Sequence, residues 1–366
     1  MRYRSHSPTR IWVVGALLLL LGGCATQRDG VYRLAAPYNF AFYDTHEEAA
    51  RSFYAAHFAH FGAYELLMEP GPDTGDRMDA FEAQVRAYVA DPPQFEPPAE
   101  IVAPTWSLLA YPTGQAMDWT HMLHSQLYDI LTDDRVEDKK TAGERAITYY
   151  LSEADAAFST RGYGHRWMEG GGEWVGAFRE TYPGVNGILW AYHWHHAAVY
   201  EALMESDPTE RANRLNAVIE VFTDSILHDL PDEMPLTAEV APEFSRMFPA
   251  AAHIFDNLHM MHDVVNDIMA FPAYDQAAKG AEIERLRLLM RYEGQDTVVA
   301  PAMPMGGGHE MAGHDMGGHQ MGMGAMRVAT RLPSGEWLPQ GHPEARMASM
   351  QEFMMPMPAV RPGGDR

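Results

Sequence analysis

The chain of 366 residues has one cysteine, Cys24. That excludes an intramolecular disulfide, a zinc ribbon and a thiolate cluster, and the lack of Cys-x-x-Cys-His excludes c-type haem attachment. Basic residues are scarce. Lys and Arg number 27 against 50 Asp and Glu, a formal net charge of -23. A balance so acidic argues against nucleic acid and against an anionic membrane surface as partners. Gly-x-Ser-x-Gly, the P-loop and the dinucleotide fingerprint do not occur, so nucleophilic hydrolysis and nucleotide chemistry find no motif. The apolar run Ile11–Leu21 is too short to span a bilayer as a finished helix, and no other run is long enough.

That short run has a use. Arg2, Arg4 and Arg10 precede or open it, and Leu21-Gly22-Gly23-Cys24 closes it. The pattern reads as a secretory signal. Its end resembles the lipobox of bacterial lipoproteins, over the first 24 residues only. The resemblance implies cleavage before Cys24, acylation of that cysteine, and a lipid-anchored protein of the bacterial cell envelope facing the periplasm. No Asp follows Cys24, which favours the outer membrane over the inner.

The remainder divides by composition into a tether over residues 24–43, a helical domain over 44–293 and a low-complexity tail over 294–366. In the middle region, apolar residues recur every three or four positions in four successive helix pairs. The first pair lies near residues 45–68 and 77–90, the second near 113–131 and 141–158. The third lies near 185–204 and 208–228, the fourth near 249–270 and 274–292. Three irregular links rich in Pro, Gly or aromatics separate the pairs. The expected fold is all-α: four repeated helix pairs forming a bundle with a histidine-lined interior, followed by a disordered tail rich in Met, His and Gly.

One nine-residue pattern occurs four times: HFAHFGAYE from His57, HMLHSQLYD from His121, HWHHAAVYE from His193 and HMMHDVVND from His259. Each is His-x-x-His-x-x-x-Tyr/Asn-Asp/Glu, and each falls in the first helix of a pair. Random placement of the 13 histidines in residues 31–293 would give roughly 0.7 His-x-x-His pairs. Positions i, i+3 and i+7 share a helix face, so His57, His60 and Tyr64 point one way, as do the matching residues in the other units. If the four histidine helices run parallel, the rings form two layers: His57, His121, His193 and His259, then His60, His124, His196 and His262. Antiparallel packing would mix the layers. Either arrangement sets imidazoles to hold two or more metal ions. Tyr64, Tyr128, Tyr200 and Asn266 sit one turn along the same stripe, as partners for the second ring nitrogens. Asp118 and Asp256 lie three residues before His121 and His259 and add two possible carboxylate ligands. The trailing acids Glu65, Asp129, Glu201 and Asp267 point further round, toward neighbouring helices. Any one His-x-x-His pair is an ordinary feature of a helix surface; the case rests on four copies together.

Imidazole accepts copper, iron or zinc, so the helices alone do not choose the metal. In the tail, His309, His314 and His319 are each followed two residues later by Met311, Met316 or Met321. Thioether selects Cu(I). The segment resembles the Met/His-rich tails of bacterial copper-handling proteins, which implies copper as cofactor and a copper exporter or cuproprotein as partner. The leading expectation is copper binding, storage or transfer. A dinuclear copper or iron oxidase is the enzyme alternative. Clustered imidazoles resemble the dinuclear copper sites of oxygen-binding and phenol-oxidising proteins, and Asp-x-x-His resembles the Glu-x-x-His of ferritin-like di-iron oxidases, with Asp in place of Glu. In an oxidase a tyrosine such as Tyr128 would donate protons. A third class, a structural helical repeat that docks a partner protein, would bind no metal.

Overall fold

The computed structural model describes residues 40–94, 96–165 and 172–294. Cys24 and the tail residues His309, Met311, His314, Met316, His319 and Met321 lie outside them. The described residues form thirteen α-helices and one π-helical turn, with no strand among them. In chain order these are α1 Ala41–Thr45, α2 Glu47–Leu66, α3 Thr74–Ala90, α4 Ala99–Val102, α5 Pro104–Thr132, α6 Lys139–Ser152, α7 Ala177–Thr181, α8 Pro183–Leu203, α9 Pro208–Val221, α10 Thr237–Val240, α11 Pro242–Met247, α12 Pro249–Ala270 and α13 Gln276–Met290. The π turn, Phe222–Ile226, continues α9.

The long helices start where the sequence supplies a start. Proline opens α5, α8, α9 and α12, where its missing N–H would have had no partner in any case. Asp138 and Asp275 accept N–H bonds from Thr141 and Ala278 at the first turns of α6 and α13. Helix α5 is interrupted at Ala110, two residues before Pro112.

Helices α2, α5, α8 and α12 carry the histidine pairs and form the centre; α3, α6, α9 and α13 each pack outside the helix that precedes them. The central helices are buried almost all round. In α8 every residue from Val185 to Leu203 is buried. The outer helices bury one stripe, as α6 does with Ala142, Ala146, Ile147 and Tyr150.

The four central helices do not run parallel. Phe53 meets Tyr128, His57 meets His121, and Tyr64 meets Trp106, so α2 runs against α5. His124 meets Phe255 and His121 meets His262, so α12 also runs against α5. The same ordering of contacts sets α8 against α2 and α12. Helices α2 and α12 therefore point one way, α5 and α8 the other, and the two expected histidine layers are mixed. Links long enough to return the chain to either end leave direction to packing rather than to sequence.

The helix caps show that the four units are two copies of a double unit. Asp129 accepts N–H bonds from Phe40 and Phe42 at the start of α1, and Asp267 does the same for Gly176 and Phe178 at α7. Glu65 takes the N–H groups of Thr105 and Trp106; Glu201 takes those of Glu243 and Phe244. Asp118 caps α4 at Ala99, and Asp256 caps α10 at Thr237. Phe40, Phe42, His57 and Glu65 each have their counterpart 136 residues on; Ala99, Asp118, His121 and Asp129 have theirs 138 on. Phe40 even takes the left-handed backbone, φ 63°, that its counterpart Gly176 holds at 88°. The trailing acids of the repeat are thus clamps on helix starts, of the short α1, α7 and α11 and of the long α5, which explains why every unit has one.

Candidate metal centre

All eight repeat histidines are buried, and they gather into three groups. His57 and His121 meet Nδ1 to Nδ1 at 2.9 Å. His60, His193 and His262 bring one nitrogen each within a metal-sized cluster, with His60 Nε2 3.1 Å from His193 Nε2. His124, His196 and His259 complete the set, with ring centres 5.7, 5.8 and 6.0 Å apart.

The first group contains a residue that the repeat did not reveal. Glu96, from the Pro-rich link between α3 and α4, places Oε1 2.8 Å from His121 Nδ1 and 3.0 Å from His57 Nδ1. Although both nitrogens are close, this buried oxygen has no hydrogen bond of acceptable geometry. Burial disfavours its charge, but the two neighbouring imidazoles outweigh that and hold the Glu96 carboxyl down at about 2. Asp118 stands behind, its Oδ1 3.9 Å from His57 Nε2, and joins His57 and His121 in a second metal-sized cluster. Three ligand atoms with edges of 2.8, 2.9 and 3.0 Å make a compact triangle. Ligands at right angles on an ion at about 2.0–2.1 Å lie roughly 2.9 Å apart, whereas tetrahedral ones lie roughly 3.3 Å apart. The triangle therefore has the shape of one face of a tetragonal or octahedral site.

The other expected partners act differently from the roles the stripe suggested. Tyr64 donates to the His262 carbonyl, Tyr128 to the His196 carbonyl and Tyr200 to the His124 carbonyl. Only Tyr200 also reaches a ring, at His124 Nδ1, 3.0 Å away. Asn266, the odd residue of the four, leaves both side-chain polar atoms buried without a partner. Asp256 is spent on α10, accepting from the N–H and hydroxyl of Thr237 at 2.7 Å each. The tyrosines lock helix to helix, and of the two Asp-x-x-His aspartates only Asp118 stands with the ligands.

The telling feature is what the rings lack. Both nitrogens of His196, His259 and His262, and one each of His57, His124 and His193, are buried with no hydrogen-bond partner. A buried polar atom left unpaired costs about 1–3 kcal/mol, and natural cores contain few. Where one nitrogen is fixed, the other is left as a lone pair. His60 Nδ1 donates to the Ala56 carbonyl at 2.8 Å, so Nε2 faces His193 as an acceptor. Imidazoles arranged with free lone pairs toward one another fit a group of cations and fit a hydrogen-bonded core poorly. His195 is also buried with both nitrogens unpaired, but it faces Phe222 of the π turn, away from the cluster.

Burial holds these rings neutral. His60 and His195 are pushed down to about 3, and His124, His193, His196, His259 and His262 well below the usual imidazole value of 6.5. As pH falls, unfolded rings take protons first, so their stabilisation is complete above 6.5 and drains away between 6.5 and 3. Burial acts in the opposite sense on Asp129, Glu201, Asp256 and Asp263, raising each to about 7. Their contribution is complete at low pH and is lost as pH rises through 7. With seven histidines set against four carboxyls, the metal-free protein is expected to lose stability steadily below pH 6.5. Melting temperatures of metal-free protein between pH 8 and 4 check this; a Tm that holds level or rises from pH 7 to 5 rules it out.

No protein-family model matches the chain, and no curated protein or solved structure matches it either, so the functional reading rests on the residues themselves.

Proposed function

We propose that the chain is a metal-binding protein of the bacterial cell envelope, lipid-anchored at Cys24 and facing the periplasm, which holds copper in its histidine bundle. The observation that carries the metal is the convergence of ligand atoms in two buried groups, His60 with His193 and His262, and His57 with Asp118 and His121, in a core where many ring nitrogens have no hydrogen-bond partner. Copper is favoured over zinc by the compact triangle of Glu96, His57 and His121, whose edges suit ligands at right angles on an ion rather than tetrahedral ones, and by the Met/His tail, whose thioethers suit Cu(I). The tail captures copper or passes it to an exporter or cuproprotein, and the bundle stores it. The anchor rests on the lipobox alone. An oxidase is the second reading, favoured by one observation: the Glu96 triangle lies in the wall of a cavity rather than in sealed core.

Full-length protein loaded with Cu(II) and dialysed is expected to keep at least two ions per chain by elemental analysis, one at each cluster. His121→Ala should remove one, and a His60→Ala, His121→Ala double variant two. Zinc offered at equal concentration should fail to displace copper from the Glu96 site. Copper that survives the double variant but disappears when His309, His314 and His319 are replaced would assign binding to the tail and overturn the bundle site.

A further inference from the structure

The two halves of the molecule differ at one place in a way that points to a ligand. In the first half a cavity of 480 Å³ opens beside the metal cluster, with His57, Glu96, Asp118 and His121 at its polar end. Its walls are aromatic: Phe40, Phe42, Tyr43, Phe53, Tyr54 and Tyr128. At the matching positions of the second half the duplication places bulkier or charged residues. The counterpart of Tyr54 is Trp190, and that of Ser125, another wall residue, is Asp263. Trp190 Nε1 donates to Asp263 Oδ2 at 2.7 Å, and both are buried. Arg179, the counterpart of Tyr43, lies 6.0 Å over the Trp190 ring. The counterpart of Glu96 is Met234, which is buried and provides no oxygen ligand. The His193 and His259 rings stack face to face, 3.9 Å apart and 8° from parallel, where His57 and His121 turn their Nδ1 atoms together. A carboxylate and a converging Nδ1 pair thus stand beside the cavity in one half, and the matching positions of the other half hold Met234 and a stacked pair of rings.

We infer that this cavity is a binding site for a small, uncharged, flat aromatic molecule bearing one oxygen, which it sets against the metal held by His57, Glu96 and His121. The inference rests on the metal-binding reading and extends it from storage to recognition of a ligand. The volume lies within the range of small-molecule sites. Aromatic walls favour a ring through offset and edge contacts. Glu96, whose carboxyl stays ionised, lines the same space and repels an anion in the metal-free protein. Three ligands would leave coordination positions open on an ion held there, and His57, Glu96 and His121 themselves line the cavity, so such a position would be within reach of a molecule inside it. The ring rests on the aromatic wall while its oxygen reaches the open position.

p-Cresol is the probe, offered to copper-loaded full-length protein and to metal-free protein, with binding followed by calorimetry and by the Cu(II) absorption and magnetic resonance spectra. It should bind in both states, and in the loaded state it should shift the copper spectra. The variant Tyr54→Trp, Ser125→Asp copies the Trp190 and Asp263 pair of the second half, which the fold already accommodates. It should retain the wild-type copper content and weaken p-cresol binding at least tenfold, about 1.4 kcal/mol. Cyclohexanol should bind at least tenfold more weakly than p-cresol to the wild type, and benzoate likewise to the metal-free wild type. Cresol that binds neither loaded nor metal-free wild-type protein overturns the inference, as does cyclohexanol that binds equally well. Cresol binding that leaves the copper spectra unmoved overturns the placement against the metal. A protein that takes up no copper sinks the metal-binding reading, while cresol binding to the metal-free chain still decides the cavity.

Discussion

Stripping the metal from the loaded protein should lower its melting temperature by roughly 15–30 °C. An ion held at a thousandfold excess over its dissociation constant stabilises the fold by about 4 kcal/mol. In a domain of this size each kcal/mol moves Tm by about 2–4 °C, and two clusters are present. The sign of a companion substitution separates a ligand from an ordinary core histidine. His262 is buried with both ring nitrogens unpaired. In the metal-free protein His262→Leu replaces those atoms with an apolar group of similar breadth, and removing their desolvation penalty should stabilise by about 1–3 kcal/mol. In the loaded protein the same change removes a ligand and should destabilise. Thermal melts of wild type and variant with and without copper make the comparison. A loss in both states would identify His262 as a core residue whose partners the fold supplies, and would count heavily against the cluster.

The helical fold and the convergence of the histidines were legible because both are local signals repeated four times. A pair at i and i+3 followed one turn on by Tyr or Asn declares a helix face wherever it occurs, and four such faces need one another to be covered. What escaped detection depends on contacts distant in sequence. Glu96 lies between prolines in a link with no periodicity, so nothing about it differs from other surface acids until α2 and α5 come together. The helices α1, α4, α7, α10 and α11 have four to six residues each, shorter than the windows in which helical periodicity registers. Their existence was nevertheless encoded in acids of the histidine helices: Asp129, Asp267 and Glu201 close repeats and hold α1, α7 and α11, while Asp118 and Asp256 cap α4 and α10. Val102-Ala103-Pro104 recurs as Val240-Ala241-Pro242, and read with those acids it would have exposed the duplication. The strong period of one unit overlies the weaker one of two. Helix direction was open, since the links reach either end of the bundle.

Among those clamps the change with the largest cost should be Asp267→Ala, expected to destabilise the protein by about 3–5 kcal/mol, the range for removing one partner of a buried charged pair. Asp267 is 1% exposed, and its carboxylate receives the N–H groups of Gly176 and Phe178 together with the Arg179 guanidinium at 2.7 Å. Alanine leaves two buried donors with nothing to bond and a partly buried cation without its partner. Its counterpart in the first half receives only two N–H groups, from Phe40 and Phe42, and no guanidinium, so Asp129→Ala should cost less, about 1–3 kcal/mol. Asp267→Asn keeps one oxygen for one N–H, presents its amide hydrogens to the other and forfeits the ion pair, and it should fall between the two. Urea titrations give all three values, and an Asp267→Ala loss below 1 kcal/mol would refute the clamp. The effect should reach the histidines unevenly. Helix α7 packs on both α8 and α12, the helices of His193 and His259, while His57, Glu96 and His121 lie on the other half of the duplication. Releasing α7 should therefore weaken copper held by His60, His193 and His262 and leave the Glu96 site at its wild-type affinity, so that metal titrations of one variant separate the two clusters.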